Sequence, residues 1–372
     1  MLRLRWLLVP LAAAVLAACG ATAASAPTAA PALTSAPAPT AAPAPAGADL
    51  SGIKAYLLTK TAALKEATAR LRAASDRYYE LAKGAHFDYA ALWAGKRPEV
   101  TAVVQELRAA WKTASPLYEQ MEGIVAGTPA LSQFDVDLDA GASGAEGGDN
   151  VVSFDLTLPD GRRLPKPGNL FGVTESTIFA SYPDYTAKGV AADYDGDGQA
   201  GFGEALPDAN VLKGGVDALA AKAADLDTAA QAWQPTEADA FTALVVMVPT
   251  MSEYFDSWKN SRFVAGDKST QRDFVAISRL ADIQDILSSL EVVHQNVSPL
   301  IRQVSADEDA RIGQGLRDLK AFVADVYAKE RSGKRFTAEE ADLLGAEAQN
   351  RATAITGQIS QAAARLNIKI EQ

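Results

Sequence analysis

Pro98-Glu-Val-Thr-Ala-Val-Val-Gln-Glu-Leu-Arg-Ala-Ala-Trp-Lys-Thr-Ala-Ser-Pro-Leu-Tyr-Glu-Gln-Met121 carries the clearest structural signal in the chain. Its apolar side chains recur every three or four residues, which places them on one face of an amphipathic helix. Proline suits the first turn of a helix, so we expect this helix to start after Pro98. The apolar face consists of Val100, Val103, Val104, Leu107, Trp111, Ala114, Tyr118 and Met121.

The same period recurs along most of the chain on both sides of this segment. Two of the further helices begin with capping-box signals, at Thr236 and Thr337. The pattern predicts helices over residues 52–83, 208–233, 236–258, 270–304, 306–331 and 337–368. Long helices with short connections favour an antiparallel bundle, so the expected fold class is mainly α.

Residues 126–207 lack this period and separate an N-terminal helical part, 49–125, from a C-terminal helical bundle, 208–372. Val151–Leu158 alternates apolar and polar residues, and Pro159-Asp-Gly follows it. Alternation that ends in a turn containing glycine predicts a β-hairpin. We therefore expect a central insert between the two helical parts.

The insert also contains Asp193-Tyr-Asp-Gly-Asp-Gly-Gln-Ala-Gly-Phe-Gly-Glu204, which has the spacing of a twelve-residue, EF-hand-like calcium loop. Such loops supply oxygen ligands from alternate positions and from a final glutamate, with glycine at the sharp turn. Here the ligand positions are Asp193, Asp195, Asp197, Gln199, Gly201 and Glu204, and the turn is at Gly198. We predict that this single loop binds Ca²⁺ and stabilises the fold.

A second alternation of acids lies earlier in the insert. Asp135, Asp137 and Asp139 are followed by Glu146 at the twelfth position, but Ala140 replaces the glycine of the turn. The segment is either a degenerate cation loop or a short strand or acidic turn. We favour the strand or turn.

The N-terminus has the pattern of a bacterial lipoprotein signal over residues 1–18. Two arginines precede an apolar run that is too short to span a membrane, and Leu-Ala-Ala precedes Cys19. This resembles a lipobox and predicts a lipid anchor on Cys19, with an ordinary secretory signal as the alternative. Residues 19–48 are rich in alanine and proline and carry no charged side chains. This composition is typical of an extended tether. The protein is thus expected outside the cytoplasm, on the periplasmic side or at the cell surface.

Composition narrows the functions further. The formal net charge is −11, and it becomes −13 once the two arginines of the signal are removed. Such a chain is a poor partner for nucleic acid and an attractive one for cations. Cys19 is the sole cysteine and there are two histidines, which excludes intrachain disulfides and sites of three imidazoles.

Three pairs of acids lie three residues apart on the predicted helices, a spacing that puts both carboxylates on one helix face. They are Glu119/Glu122, Glu253/Asp256 and Asp282/Asp285. We interpret the last two as solvated faces, since Lys259 can pair with Asp256 and serines share the face of Asp282. Glu119 and Glu122 lie beside core positions, so they are the candidates for a second site that holds Fe³⁺ or another cation.

Five segments resemble the imelysin-like lipoproteins of bacterial iron uptake: Ser115–Gly127, Phe134–Gly141, Leu164–Leu170, Glu204–Leu212 and Trp258–Phe263. The resemblance extends over most of the chain after residue 50. It implies a duplicated helical-bundle fold, a role in iron or other metal uptake, and a membrane permease or receptor as partner. The family was named for a suspected peptidase activity, which this sequence does not support.

The metal signature of that family is a His-x-x-Glu motif on a helix, and neither histidine here fits it. Tyr89 follows His86 by three residues, and Val297 follows His294 by three. We expect His86 at a helix end and His294 on a polar helix surface, both without a ligand role.

The functional expectation is therefore a metal-binding lipoprotein stabilised by calcium, and not an enzyme. A surface scaffold whose calcium is purely structural is the first alternative, and a hydrolase is the second.

Overall fold

Long helices form most of the chain, which confirms the mainly α fold class. The computed structural model describes residues 47–148, 150–199 and 201–371. The helices are α1 (Ser51–Gly84), α2 (Tyr89–Val125), α3 (Ser132–Asp135), α4 (Leu170–Ile178), α5 (Ala209–Ala232), α6 (Glu237–Met247), α7 (Met251–Asn260), α8 (Arg262–Ala265), α9 (Arg279–Val304), α10 (Ala306–Arg331) and α11 (Ala338–Arg365). The strands are β1 (Leu156–Thr157), β2 (Arg163–Leu164), β3 (Thr186–Ala191) and β4 (Ala205–Pro207).

The long helices pack in two groups around one apolar core. Helix α1 packs against α2 and α5, whereas α9 packs against α10, and α11 against α7 and α10. Helices α2 and α9 contact each other and join the two groups. Leucines such as Leu57, Leu107 and Leu287 are fully buried, and each contributes about 1.5–3 kcal/mol of hydrophobic stabilisation.

Helix α2 begins earlier than the sequence predicted. The Asp88 carboxylate accepts a hydrogen bond from the Ala91 N–H (3.0 Å) and caps the helix at Tyr89. Lys96, with φ −138°, interrupts the helical backbone just before Pro98, because proline lacks an N–H and disfavours helix immediately before it. A short helical stretch from Tyr89 thus precedes the break at Lys96, and the long part of α2 begins next to Pro98, close to the predicted start.

The segment 236–258 forms two helices instead of the single one predicted. The capping box at its start is present, with Thr236 and Asp239 bonding each other's backbone N–H groups at 3.0 Å. Pro249 then interrupts the helix with a 3₁₀ turn, Val248–Thr250, that separates α6 from α7. The missing N–H of proline is the physical cause of this break.

Helix α9 also differs from its prediction, because it starts at Arg279 and not at residue 270. Ser278 caps it by accepting a hydrogen bond from the Leu280 N–H (3.4 Å). The residues before the cap are irregular, and Phe274 has a left-handed backbone with φ +51°. Side chains of a neighbouring helix hold this irregular segment, as the site below explains.

Short elements occupy residues 126–207. Strand β1 pairs antiparallel with β2, with Leu156 opposite Leu164, and β3 pairs with β4. Each strand of the first pair has two residues, far fewer than the predicted strand over 151–158. Helix α4, which the sequence did not predict, packs against α2 and α5, and nearly all of its residues are buried, so it lacks an amphipathic period.

The N-terminal predictions lie outside the described residues. They are the signal peptide over 1–18, the lipid anchor on Cys19 and the tether as far as residue 46. Among the helices of the described part, none is both long enough and apolar enough to cross a membrane.

Candidate metal centres

Glu119 and Glu122 lie in the C-terminal half of α2, on the face that packs against α9. Each residue is 2% exposed. Burial of a carboxylate is costly unless a cation, a proton or hydrogen-bond donors compensate its charge. The sequence therefore placed the pair correctly beside the core, and the surroundings of the pair decide what it can bind.

A single arginine from α9 enters this pocket. Arg279 is buried, and its Nη1 lies 3.1 Å from Glu119 Oε2 and 3.4 Å from Asp282 Oδ2. The same guanidinium lies 3.7 Å from Asp139 Oδ2 and 3.8 Å from Glu122 Oε1. One positive charge is thus shared by four buried carboxylates.

Asp139 joins the cluster through an element that the sequence did not predict. Residues Val136–Ala140 form a π-helical turn that continues α3. A strand would have sent Asp135, Asp137 and Asp139 to one face. In the helical turn, Asp135 and Asp139 point inward, whereas Asp137 pairs with Lys222 at 2.9 Å.

Of the interpretations of this acidic segment, the strand is wrong, whereas the acidic turn agrees with the π-helical turn at Val136–Ala140. Glu146 lies elsewhere, where it accepts a hydrogen bond from the Ser143 N–H and pairs with Arg272, each at 2.8 Å. The carboxylate oxygens that do gather are those of Glu119, Glu122 and Asp139, which lie within 4.8 Å of one another. The spacing of four between Asp135 and Asp139, read with a helical period, was the available signal.

Two tyrosines donate hydrogen bonds to the cluster but leave some of its oxygens free. The Tyr254 hydroxyl donates to Glu122 Oε1 (2.8 Å), and the Tyr118 hydroxyl donates to Asp135 Oδ1 (2.7 Å). Glu122 Oε2 and Asp139 Oδ2 are buried without a hydrogen-bond partner. Buried polar atoms are nearly always satisfied, so such orphans mark a place where a ligand, a proton or water is expected.

Burial, together with the neighbouring negative charges, raises the affinity of the cluster's acids for protons. Burial raises the pKa of Asp282 to about 7, even though Arg279 opposes the shift. Burial, with the charge of Glu122, likewise raises the pKa of Asp135 to about 7. The pKa values of Glu119 and Asp139 also lie well above their usual range, with burial as the main cause. Without a cation, protons therefore neutralise part of the cluster at neutral pH.

A small cavity lies against these carboxylates. Its volume is about 10 Å³, which is close to the space that one water molecule needs. Carboxyl groups of Glu119, Asp139, Glu175, Asp273 and Asp282 line it. The space is too small for an organic substrate and suits a water molecule or a single ion.

Glu175 of α4 holds the irregular segment before α9. Its carboxylate accepts hydrogen bonds from the N–H groups of Phe274 (2.7 Å), Val275 (2.9 Å) and Ala276 (2.8 Å). Burial raises the pKa of Glu175 to about 8, while these three donors oppose the shift. Because its carboxylate occupies these three N–H groups, the backbone of residues 274–276 does not enter α9.

The other acidic pairs give one confirmation and one correction. Glu253 and Asp256 are exposed, and Asp256 pairs with Lys259 at 2.6 Å, as expected for a solvated face. Asp282, in contrast, is 3% exposed. Its assignment to a solvated face is wrong, because the packing of α9 against α2 encloses it.

The predicted calcium loop connects two strands. Residues 193–204 lie between β3 and β4, so the flanks differ from the helices of an EF-hand. Carboxylate oxygens of Asp193, Asp195 and Asp197 lie within 4.8 Å of one another. Gly198 has φ +82°, in the left-handed region that the turn position of such a loop requires.

Hydrogen bonds within the loop already orient its carboxylates. Asp193 accepts from the N–H groups of Gly196 (2.6 Å) and Gly198 (3.2 Å). Glu204 accepts from Tyr194 N–H (2.9 Å) and Gly201 N–H (2.6 Å), and so closes the loop from its last position. Its carboxylate is not among those that gather with Asp193, so the loop would need a local adjustment for Glu204 to reach a shared ion.

Cationic side chains anchor the loop to α2 and to the segment after α7. Arg97 Nη2 donates to the Asp193 carbonyl oxygen at 2.5 Å and lies 3.2 Å from its carboxylate. Although burial opposes it, the hydrogen bonds to Asp193 and the charge of Arg97 hold the pKa of this carboxyl below its usual value. Arg262 stacks on the exposed ring of Phe202, 3.7 Å from its centroid.

The histidines take different places. His86 is exposed after the end of α1 with φ +55°. His294 is 8% exposed, so its predicted place on a polar surface is wrong. Its Nε2 lies 3.1 Å from Asp309 Oδ1, and Ser298 donates to the other oxygen of Asp309 at 2.9 Å.

This trio does not have the order of a hydrolytic triad. In such a triad the histidine lies between serine and aspartate, where it can take the serine proton. Here both Ser298 and His294 contact Asp309. Burial also lowers the pKa of His294.

Comparison with known proteins agrees with this architecture. No curated protein matches the chain. A family model described as imelysin, of the peptidase M75 group, matches residues 52–361. The match spans both helical groups and the short elements between them, and it confirms the resemblance seen in the sequence. The chain belongs to the imelysin family.

Proposed function

We propose that this protein is a lipid-anchored metal-binding protein outside the cytoplasm that serves the uptake of iron or another cation, with a calcium ion that stabilises its fold. The buried acidic cluster is the observation that carries the proposal. Glu119, Glu122 and Asp139 converge from two elements, and two of their oxygens have no hydrogen-bond partner. Family membership is consistent with such a role.

The chemistry of the cluster favours a hard cation. All of its ligand atoms are carboxylate oxygens, which suit Ca²⁺, Mg²⁺, Mn²⁺ or Fe³⁺ better than soft metals. Four carboxylates surround one guanidinium, so the charge is unbalanced unless protons or a metal ion are added. A metal ion would replace protons, and its binding should release them to the solution.

The calcium part of the proposal rests on the loop at residues 193–204. Asp193, Asp195 and Asp197 gather at its surface, and Gly198 has the backbone that the turn needs. Loops of this kind in extracellular proteins bind Ca²⁺ with dissociation constants on the order of 10⁻⁴–10⁻³ M. An exterior location would provide calcium at that level, in agreement with the lipobox-like sequence before Cys19.

Metal titration tests the proposal directly. Protein stripped with a chelator is dialysed against Fe³⁺ supplied as its nitrilotriacetate complex, in the presence of excess Ca²⁺ that saturates the surface loop. We expect one Fe³⁺ per chain in the wild type. The double variant Glu119→Gln/Glu122→Gln preserves side-chain volume and should lose that iron.

A matched control is the double variant Glu253→Gln/Asp256→Asn, which removes an exposed acidic pair with the same spacing. It should bind iron as the wild type does. Equal iron binding by the Glu119→Gln/Glu122→Gln protein would show that the site assignment is wrong.

A calcium-stabilised scaffold is the second candidate, and the position of Arg279 favours it. An arginine that already contacts Glu119 and Asp282 can make the cluster a purely structural ion network. The scaffold predicts no iron binding but a melting temperature that rises with Ca²⁺. A peptidase role would require that the protein cleaves an unfolded substrate protein and that a chelator abolishes this cleavage.

A further inference from the structure

The guanidinium of Arg279 occupies the position where a metal ion would contact the largest number of carboxylates. It lies within 4 Å of one oxygen from each of Glu119, Glu122, Asp139 and Asp282. The small cavity beside the cluster is lined by Glu119, Asp139 and Asp282 but not by Glu122, so a cation that contacts all four carboxylates needs the position that the guanidinium now fills. The two groups therefore compete for the same oxygens.

The arginine is held there by more than its ion pairs. Its guanidinium stacks on the ring of Tyr254, at 4.6 Å from the centroid, and on Phe274, at 4.4 Å. Cation–π contacts of this kind are strongest when the cation is removed from water. Arg279 is 6% exposed, so these cation–π contacts and the carboxylates together stabilise the position of the guanidinium.

The position of Arg279 at the start of a helix, in contrast, disfavours its positive charge. Arg279 is the first residue of α9, where the helix dipole presents partial positive charge and disfavours cations. The residues before it are irregular, with the left-handed Phe274 and the three N–H groups bound by Glu175. The side chain is thus attached where a short non-helical segment can adjust, and not in the rigid middle of a helix.

The charges determine which ions can displace it. The four carboxylates carry four negative charges when ionised, and Arg279 supplies one positive charge. Electrostatic attraction increases in proportion to the charge of the ion. The electrostatic attraction of the same oxygens is therefore weaker for a divalent ion than for a trivalent one. The free-energy cost of displacing the guanidinium is the same for both ions.

We propose that Arg279 is the specificity-determining residue of the buried site, an internal cation that a metal must displace and that thereby restricts binding to ions of high charge. This inference rests on the proposed metal-binding function. It goes beyond that function by assigning the selection of the ion to one residue that is itself not a ligand.

Terbium luminescence provides the test. Tb³⁺ is a hard trivalent ion, and nearby tyrosine and tryptophan side chains can sensitise its emission. The surface loop is first disabled by Asp193→Asn/Asp195→Asn, so that the signal reports on the buried site. Into this background we introduce Arg279→Met, which removes the charge, and Arg279→Lys, which keeps it.

The charge-free Arg279→Met protein should bind Tb³⁺ about tenfold more tightly or better, corresponding to about 1.4 kcal/mol. Because both ions are relieved of the same displacement cost, the Ca²⁺ affinity should rise by a similar factor and become measurable as competition against Tb³⁺, which the parent protein should not show. Arg279→Lys should retain the selectivity of the parent. Weaker or unchanged Tb³⁺ binding in the Met variant, or no Ca²⁺ competition at millimolar Ca²⁺, would overturn the inference, because it would mean that Arg279 only supports the structure.

Two further arms separate the possible failures. Loss of binding in Glu119→Gln/Glu122→Gln, together with no effect of Arg279→Met, leaves the proposed function intact and removes only the inference. Should Arg279→Met fail to fold, hydrogen exchange of Phe274, Val275 and Ala276 is measured in the parent protein. Displacement of the arginine should accelerate their exchange when Tb³⁺ binds, and unchanged exchange at saturating Tb³⁺ would contradict it.

Discussion

Replacement of Asp282 by asparagine should stabilise the metal-free protein more at pH 8 than at pH 5. Burial raises the pKa of this carboxyl to about 7 from an ordinary value of 3.8. The folded protein therefore holds the proton more tightly than the unfolded chain does. The contribution of protonated Asp282 to the free energy of unfolding is fully present below pH 3.8. It is lost progressively as the pH rises from there through about 7.

The size of the effect follows from that displacement. A rise of about three pKa units corresponds to about 4 kcal/mol of destabilisation once the group is ionised in both states. The attraction of Arg279, whose Nη1 lies 3.4 Å from Asp282 Oδ2, already opposes the rise of this pKa, so it is not subtracted a second time. A net stabilisation of about 3–4 kcal/mol is therefore expected at pH 8, and about 1–2 kcal/mol at pH 5, which lies between the two pKa values.

Urea denaturation in the presence of a chelator measures this directly at the two pH values. Glu253→Gln is the control. It neutralises an exposed acid that lies three residues from Asp256, the same spacing as between Asp282 and Asp285. The control should shift the midpoint at neither pH. If Asp282→Asn destabilises the protein equally at pH 5 and pH 8, the fold needs this carboxylate in its ionised form, which contradicts a raised pKa.

The following outcomes are also expected. Asp193→Asn/Asp195→Asn should abolish the rise in melting temperature that millimolar Ca²⁺ produces in the wild type, while a persistent rise would place calcium elsewhere. Tyr118→Phe should cost about 1.5–3 kcal/mol in urea denaturation, because it removes the buried 2.7 Å hydrogen bond to Asp135; a change below that range would mean that the bond contributes little. Cys19→Ala should move the protein from the membrane fraction to the soluble fraction after expression in bacteria, and retention in membranes would argue against a lipid anchor.

Helix periodicity was sufficient to predict the frame of the fold. The helix predicted over 306–331 has those bounds in the structure, and the capping box at Thr337 begins α11 as expected. Both predictions rest on local signals, namely an apolar stripe and a side chain that bonds its own backbone. Such signals survive packing because tertiary contacts reinforce them.

Errors arose where distant residues determine the local backbone. The start of α9 was placed at residue 270 because its apolar residues kept a helical period. In the structure, Glu175 binds the N–H groups of Phe274, Val275 and Ala276, about one hundred residues away in sequence. No local pattern contains that information, so the irregular segment could not be predicted from it.

The candidate site was predicted in part for the same reason. Glu119 and Glu122 were identified because their spacing and neighbours lie on one helix. Asp139, Asp282 and Arg279 come from other elements and meet the pair only through packing of α2 against α9 and the π-helical turn. A count of charges on single helices cannot show that acids from three elements share one arginine.

Anomalous X-ray diffraction from crystals soaked in Tb³⁺ tests the central claim most directly. We expect a strong anomalous peak among the carboxylates of Glu119, Glu122 and Asp139, at about 2.3–2.6 Å from their oxygens as for a large hard cation, with the side chain of Arg279 moved away from it. A peak confined to the surface loop at Asp193, with Arg279 still in contact with Glu119, would contradict it.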